Sequence, residues 1–238
     1  MIARDGVIVA ARFQGPPGCA NGGYACGLLA GRMPAGPLRV TLRRPIPLER
    51  ALGFEVVEGG GLALVDPAGE VLVAAAPAGA PDVGDLPAVS LDQARAAVPD
   101  EELLREHPFP GCFGCGPDRD PGEAVALHVG RLGAGEWATA WTPGEGLPHG
   151  PGGELTAEVI WAALDCPSSF AAVPAGAPPH VLGRLEGDVH APVRVGEEIV
   201  VTAWSLGHEG RKRWGATALL GAGGEVRALA RATWIALA

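Results

Sequence analysis

No apolar run in this 238-residue chain approaches the roughly 20 residues that a membrane-spanning helix needs. No positively charged stretch followed by an apolar run stands at its N-terminus, so no secretory leader is expected. Charged residues are scarce at 19%, and the net charge of −9 denies the chain the basic face that nucleic acid requires. The expectation is a soluble, cytoplasmic protein with neither a membrane nor a nucleic-acid partner. Five cysteines are an odd number, and a chain of this length needs no covalent staples, so reduced thiols are expected. Histidine is missing from the whole first part of the chain and first occurs at His107.

What is present is apolar residues, at 47%, and an abundance of glycine (37) and proline (23). That is enough apolar material for one large domain or two small ones. Gly and Pro punctuate the apolar runs, so they read as turns. Residues 6–13 form a β-branched strand candidate that ends at Gly15 to Gly18. Asn21 is an N-cap candidate before a short helix opened by Gly22 and Gly23. Residues 38–42, 53–57, 61–65 and 70–75 read as strands, and Ser90 with Gln93 forms a capping box for a short helix reaching Val98. Residues 99–121 are a Pro-, Gly- and acid-rich linker. Further strands are expected at 124–129, 136–141, 182–190, 198–204, 213–220 and 225–236.

The strongest helix signal is Glu154 to Asp165. Leu155, Val159, Ala162 and Ala163 recur at helical spacing, while Ile160, Trp161 and Leu164 make the other sides apolar. A helix apolar nearly all round is buried. It nevertheless carries Glu158 and Asp165, seven residues apart and so on one face. Glu158 lies near the N-terminus, where the helix dipole favours an acid; Asp165 lies at the opposite end, where it does not. Burial and the dipole both disfavour the charged form of Asp165, which suits a general base working near neutrality.

The second half repeats the logic of the first. The turn Asp66 to Glu70 matches Gly221 to Glu225, and Arg43–Leu48 matches His190–Val195. Strand, loop, helix and four strands occur twice, with too few helices for parallel crossovers, so antiparallel sheet is expected. Asn21-Gly22-Gly23, Trp161 to Asp165 and the terminal pattern Gly224 to Ala230 together resemble the hotdog fold, in the duplicated form of the acyl-CoA thioesterase superfamily, nearest its phenylacetyl-CoA thioesterase-like branch. The resemblance implies an α+β tandem (double) hotdog: two antiparallel sheets, each wrapped around a central helix. The expected organisation is an N-terminal repeat over 1–88, a linker over 89–121 and a C-terminal repeat over 122–238.

The resemblance further implies a thioester hydrolase acting on an acyl-CoA or acyl-carrier substrate, at one composite site between the repeats. In the family a helix-opening Gly-Gly turn offers backbone N–H groups to the thioester carbonyl, and an acid from the partner unit acts as base or nucleophile. Here Gly22 and Gly23 keep the turn but Ala30 stands where their own half's acid belongs; Asp165 keeps the acid but Thr156 and Ala157 replace its glycines. One hybrid site, Gly22 and Gly23 facing Asp165, should survive, and its twin at Ala30 and Ala157 should be dead. Asn21 replaces the family's histidine. Glu158 is the alternative base. Tyr24, Trp161 and Ser168 are candidate substrate contacts, and the hairpin Arg211, Lys212 and Arg213 a candidate cradle for coenzyme A phosphates, ahead of Arg43 and Arg44. No cofactor is expected beyond coenzyme A as part of the substrate, and a homodimer of such chains is compatible with the fold.

Two readings compete. The degraded half-sites fit a non-catalytic acyl-thioester binding protein. A dehydratase or hydratase would pair a histidine with Glu158; His149 is near in sequence, but the first half has no histidine to supply. Cys112 and Cys115 have the C-x-x-C spacing of a zinc site. No second such pair exists, and His107 and Cys166 would have to complete four ligands. The expectation is a glycine turn with two incidental thiols, and no metal.

Overall fold

The computed structural model describes residues 3–133 and 135–237. Among them run eleven strands in a single antiparallel sheet: β1 (Ala3–Ile8), β2 (Leu38–Leu42), β3 (Ala51–Val57), β4 (Gly61–Val65), β5 (Val71–Pro77), β6 (Gly130–Arg131), β7 (Glu136–Trp141), β8 (His180–Val189), β9 (Ile199–Glu209), β10 (Lys212–Gly221) and β11 (Val226–Ala236). Their order is β1-β3-β4-β5-β2-β8-β11-β10-β9-β7-β6. Setting aside the two-residue β6, the order reads alike from either end: β1, β3, β4, β5, β2 on one side and β7, β9, β10, β11, β8 on the other. The expected two sheets are therefore one. The halves join where β2 pairs antiparallel with β8, Val40 opposite Leu185 and Arg39 opposite Glu186, with an ion pair between the latter two side chains. Both strands leave an edge that would otherwise be unpaired, and pairing removes it.

Two helices lie inside this sheet, α1 (Gly22–Ala30) and α4 (Ala157–Asp165). Both are apolar on nearly every side, and every residue from Gly23 to Leu29 and from Val159 to Asp165 is buried. They pack against one another without intervening side chains. A Cβ on Gly23 would stand 2.4 Å from the Trp161 carbonyl oxygen, and one on Gly27 2.3 Å from the Glu158 Cα. Gly23 and Gly27, one helical turn apart, thus make a flat strip on which α4 lies. The indole of Trp161 in turn rests on Gly187 of β8, where a Cβ would meet the ring at 2.9 Å.

Several boundaries depart from expectation for identifiable reasons. The chain leaves β1 at Ile8, and a 3₁₀ turn at Ala11–Phe13 replaces the end of the expected strand. The helix expected from Glu154 begins only at Ala157, because Leu155 N–H donates to Val193 O and Thr156 N–H to Pro148 O. Residues 124–129 are not a strand: Ala126 has φ +44, and the amides of Val125 and Ala126 both donate to Phe113 O. The apolar run there is buried against the linker, not laddered into the sheet. The linker holds α2 (Leu91–Ala96), with both reciprocal capping-box bonds between Ser90 and Gln93, and an unexpected α3 (Glu101–Arg105). After Asp165 the chain does not leave helical geometry. Cys166 has φ −63 and ψ −35, and α5 (Pro167–Ala172) follows at once, with Pro167 at its first position, where a missing N–H costs nothing. Between Trp214 and Gly215 of β10 the register shifts because β9 carries an extra residue, Leu206. α5 lies close on β10 here: a Cβ on Gly215 would stand 2.5 Å from Ser168 O.

Candidate active site

The antiparallel contact of α1 and α4 brings the N-terminus of one against the end of the other. Asn21 is the N-cap of α1, and its Oδ1 accepts from the Tyr24 N–H at 2.8 Å. That bond fixes which way the amide points, so Nδ2 is the end that faces α4. It donates to Asp165 Oδ2 at 3.1 Å, and the Gly23 N–H donates to the same oxygen at 2.9 Å. The acid of the second half is thereby held by the helix-opening turn of the first, across 142 residues of sequence.

Asp165 is 2% exposed. Its Oδ1 is buried and has no hydrogen-bond partner among the described residues. Burial pushes its carboxyl up to about 7, and the donors from Gly23 and Asn21 offset only part of that desolvation. Ser168 holds the backbone beneath it: its hydroxyl donates to Asp165 O at 2.8 Å and accepts from the indole N–H of Trp234 at 2.9 Å.

Asn21, Gly22 and Asp165 all line one cavity of about 730 Å³, within the range of roughly 300–1,000 Å³ typical of small-molecule sites. Ile46, Phe109, Phe170, Val173, Leu182 and Trp234 give it apolar walls, and the exposed Arg43 and Arg44 stand at its rim. Gly22 is the first residue of α1, so its N–H has no partner inside the helix.

The remaining sequence candidates lie elsewhere. Gly23 is close by, but its N–H is committed to Asp165 rather than free for a carbonyl oxygen. Glu158 sits in the first turn of α4, against Gly27, and is not among the cavity's lining residues. Tyr24 packs face to face on Phe13, centroids 4.0 Å apart, and does not line the cavity either. Its phenol is pushed up to about 12, chiefly by burial, with Glu158 adding to the shift. Trp161 lines a smaller cavity of about 380 Å³, together with Ala30 and Ala157. This second cavity lies where the twin hybrid site was expected, and no carboxylate is among its described lining residues. Ser168 is wholly buried beneath the site, whereas its neighbour Ser169 lines the cavity. Arg211 turns its guanidinium onto Ala236 O, and neither it, Lys212 nor Arg213 lines the cavity. His149 contacts Gly150 O and Glu145, away from the cavity.

The wall beside Asp165 is also lined by His107, Cys112, Cys115 and Cys166. The C-x-x-C spacing and the position of Cys166 next to Asp165 were the available signals in the sequence. Nothing local indicated that the linker folds back onto the end of α4 and so brings these residues to the cavity.

No protein-family model matches the chain, and no curated protein matches it. Solved structures do. An acyl-CoA thioesterase II, TesB2, from Mycobacterium marinum superposes with a TM-score of 0.58 over 90% of both chains at 13% identity. A tesB protein from Mycobacterium avium subspecies paratuberculosis gives 0.58 at 14% identity, over 94% of this chain and 90% of its own. A conserved protein of unknown function with a hot dog fold, from Alicyclobacillus acidocaldarius, gives 0.60 at 12% identity, over 100% of this chain and 96% of its own. The chain shares the hotdog fold of these proteins along essentially its whole length. Among the described residues no helix is long and apolar enough to cross a membrane.

Proposed function

We propose that the chain hydrolyses an acyl thioester, carried by coenzyme A or an acyl-carrier, at the single composite cavity between α1 and Asp165. The observation that carries this reading is the bonding of Asp165 Oδ2 to Gly23 and Asn21, which leaves Oδ1 buried and without a hydrogen-bond partner among the described residues, in a residue that lines a cavity of substrate size. In the proposed reaction Oδ1 takes a proton from water as the water oxygen bonds to the thioester carbonyl carbon. The carbonyl oxygen becomes an oxyanion near the N-terminus of α1, where the Gly22 N–H and the helix dipole favour negative charge. The C–S bond then breaks, the leaving thiolate takes up the proton held on Asp165, and the products are a carboxylic acid and a thiol, with the carboxylate of Asp165 restored. The apolar walls suit an acyl group.

The test is release of free thiol from a panel of acyl-CoAs spanning short, long and aromatic acyl groups. Turnover by the wild-type chain of at least one supports the reading. Acyl-CoAs that raise the melting temperature without any thiol release would instead select a binding protein. That second reading draws on one observation: the Gly23 N–H, a natural oxyanion donor, is already occupied by Asp165.

The rim arginines supply a further prediction. Arg44 pairs with Glu70 at 2.7 Å and Arg43 is exposed beside it, so both can turn towards phosphate groups at the cavity entrance. The double variant Arg43→Ala, Arg44→Ala is expected to raise KM for an acyl-CoA about 10-fold with little change in kcat, the signature of contacts remote from the reacting carbon. Arg211→Ala and Lys212→Ala are expected to leave KM unchanged. The reverse pattern in steady-state kinetics would move the phosphate contact to the β9–β10 hairpin.

A further inference from the structure

We infer that Cys112, Cys115, Cys166 and His107 form a zinc site on the wall of the cavity, beside Asp165, in place of the incidental thiols expected from the sequence. The reactive sulfurs of the three cysteines lie within 4.8 Å of one another, all of them buried. Cys112 Sγ and Cys166 Sγ are 3.9 Å apart, and His107 Nε2 is 3.3 Å from Cys115 Sγ. A tetrahedral ion with Zn–S bonds of about 2.3 Å places neighbouring sulfurs about 3.8 Å apart, and a ligating imidazole nitrogen about 3.5 Å from a sulfur. The three sulfurs are spaced as ligands around one ion, not as a disulfide, whose sulfurs bond at about 2.05 Å. His107 reaches Cys115 alone, outside that mutually close trio, so its ring has to turn towards the ion to supply the fourth ligand.

The surroundings are built for thiolates. Gly114 has to be glycine, because a Cβ there would stand 2.7 Å from Cys166 Sγ. At Gly116 a Cβ would meet Pro110 O at 2.2 Å, so the tight turn that aims both cysteines inward depends on that residue as well. Asn21 Nδ2 lies 3.7 Å from Cys112 Sγ and 3.8 Å from Cys166 Sγ, an amide donor shared by two sulfurs. Hydrogen bonds of this kind around the ligands set the charge that a metal–thiolate centre can carry. Soft thiolates with one imidazole in tetrahedral array select zinc over the hard divalent cations.

Loading is a proton exchange with no redox step. The ion takes three thiolates and a neutral imidazole, and the protons of any thiols still protonated go to solvent. Nε2 ligation puts the ring proton on Nδ1, so the contact of the Phe109 N–H with Nδ1, now 3.1 Å, is given up on loading. The ion would pin the linker to the junction of α4 and α5, and through Asn21 to the cap of α1. It would therefore hold together the three segments from which the cavity around Asp165 is made. The inference is independent of the reaction proposed above, because its readout is metal content.

The experiment uses the full chain, purified without a metal-chelating tag or column and kept reduced. Elemental analysis should find about one zinc per chain, and cobalt exchanged into the same protein should show the intense visible bands of a tetrahedral thiolate site. Cys115→Ser and Cys166→Ser should each lose the zinc. His107→Ala should bind it at least about 10-fold more weakly, and His107→Cys should restore it with a stronger sulfur-to-cobalt charge-transfer band. His128→Ala is the control for a rival ligand, since His128 Nε2 is buried without a partner among the described residues, and it should keep its metal. Should a cysteine variant fail to fold, the wild-type cobalt spectrum and stoichiometry decide alone. A reduced wild-type chain that neither contains zinc nor takes it up overturns the site, as does a disulfide between two of these cysteines in the freshly purified protein. Zinc lost from His128→Ala but kept by His107→Ala overturns the place given to His107.

Discussion

Asp165→Asn is expected to lower kcat for acyl-thioester hydrolysis by about 100- to 10,000-fold, the usual contribution of a positioned general base. The substitution keeps the shape of the side chain. The carboxamide oxygen it introduces can still accept from Gly23 N–H and Asn21 Nδ2, the two donors that now hold Oδ2. What is lost is the ability to take a proton at the second position, where Oδ1 now has no protein partner among the described residues. Removing a wholly buried acid also removes a desolvation cost, so the melting temperature should hold or rise. Loss of turnover with a retained melt is therefore a chemical effect and not a folding one. Glu158→Gln is the companion measurement and should leave kcat within about twofold, because Glu158 does not line the cavity. Full turnover by Asp165→Asn, or its loss in Glu158→Gln alone, would sink the assignment of the base.

The largest effect on stability is expected from Gly27→Ala. In an exposed helix interior, replacing glycine by alanine gains about 1 kcal/mol. Here the sign should reverse. The added Cβ would stand 2.3 Å from Glu158 Cα, 2.6 Å from Ala157 O and 2.7 Å from Glu158 N, all backbone atoms that no rotamer change can move aside. α1 and α4 would have to separate, opening the packing of Leu28, Leu29, Val159 and Ala163, which belong to one continuous core. Overpacking of this kind costs about 1–3 kcal/mol and sometimes more; with rigid backbone on both sides, about 3 kcal/mol is expected. For a chain of this size that is a fall of roughly 6–12 °C in melting temperature. The same separation would draw Asp165 away from Gly23, so kcat should fall with stability. Urea melts of wild type and variant give the number, and a Gly27→Ala chain as stable as wild type would contradict the close approach of the two helices.

Much of the local structure was legible in the amino-acid sequence. The Asn21 cap, the Ser90–Gln93 capping box and the bounds of β2, β4 and β7 follow from side chains that act within a few residues of themselves. The apolar circumference of α4 announced its burial. Asn21, Gly22 and Asp165 line one cavity, and a second cavity beside Ala30 and Ala157 has no carboxylate among its described lining residues.

Several misreadings arose at long range. Residues 124–129 have strand-like composition but hydrogen-bond to the linker, and residues 154–156 are claimed by Val193 and Pro148 before the helix can begin. Gly27 had no special standing until α4 was seen lying on it. The basic run Arg211 to Arg213 lies outside the cavity lining, while Arg43 and Arg44 stand at the cavity rim.

Composition and periodicity settled most of the segments that are helix or strand, because those preferences are held within a turn or a strand's length of chain. Only the tertiary structure decided which of them meet. The pairing of β2 with β8 turned two expected sheets into one, and the fold-back of the linker gathered three cysteines and a histidine beside Asp165. Contacts between residues some 50 to 150 positions apart depend on the summed packing of the whole core, and no local pattern records that sum.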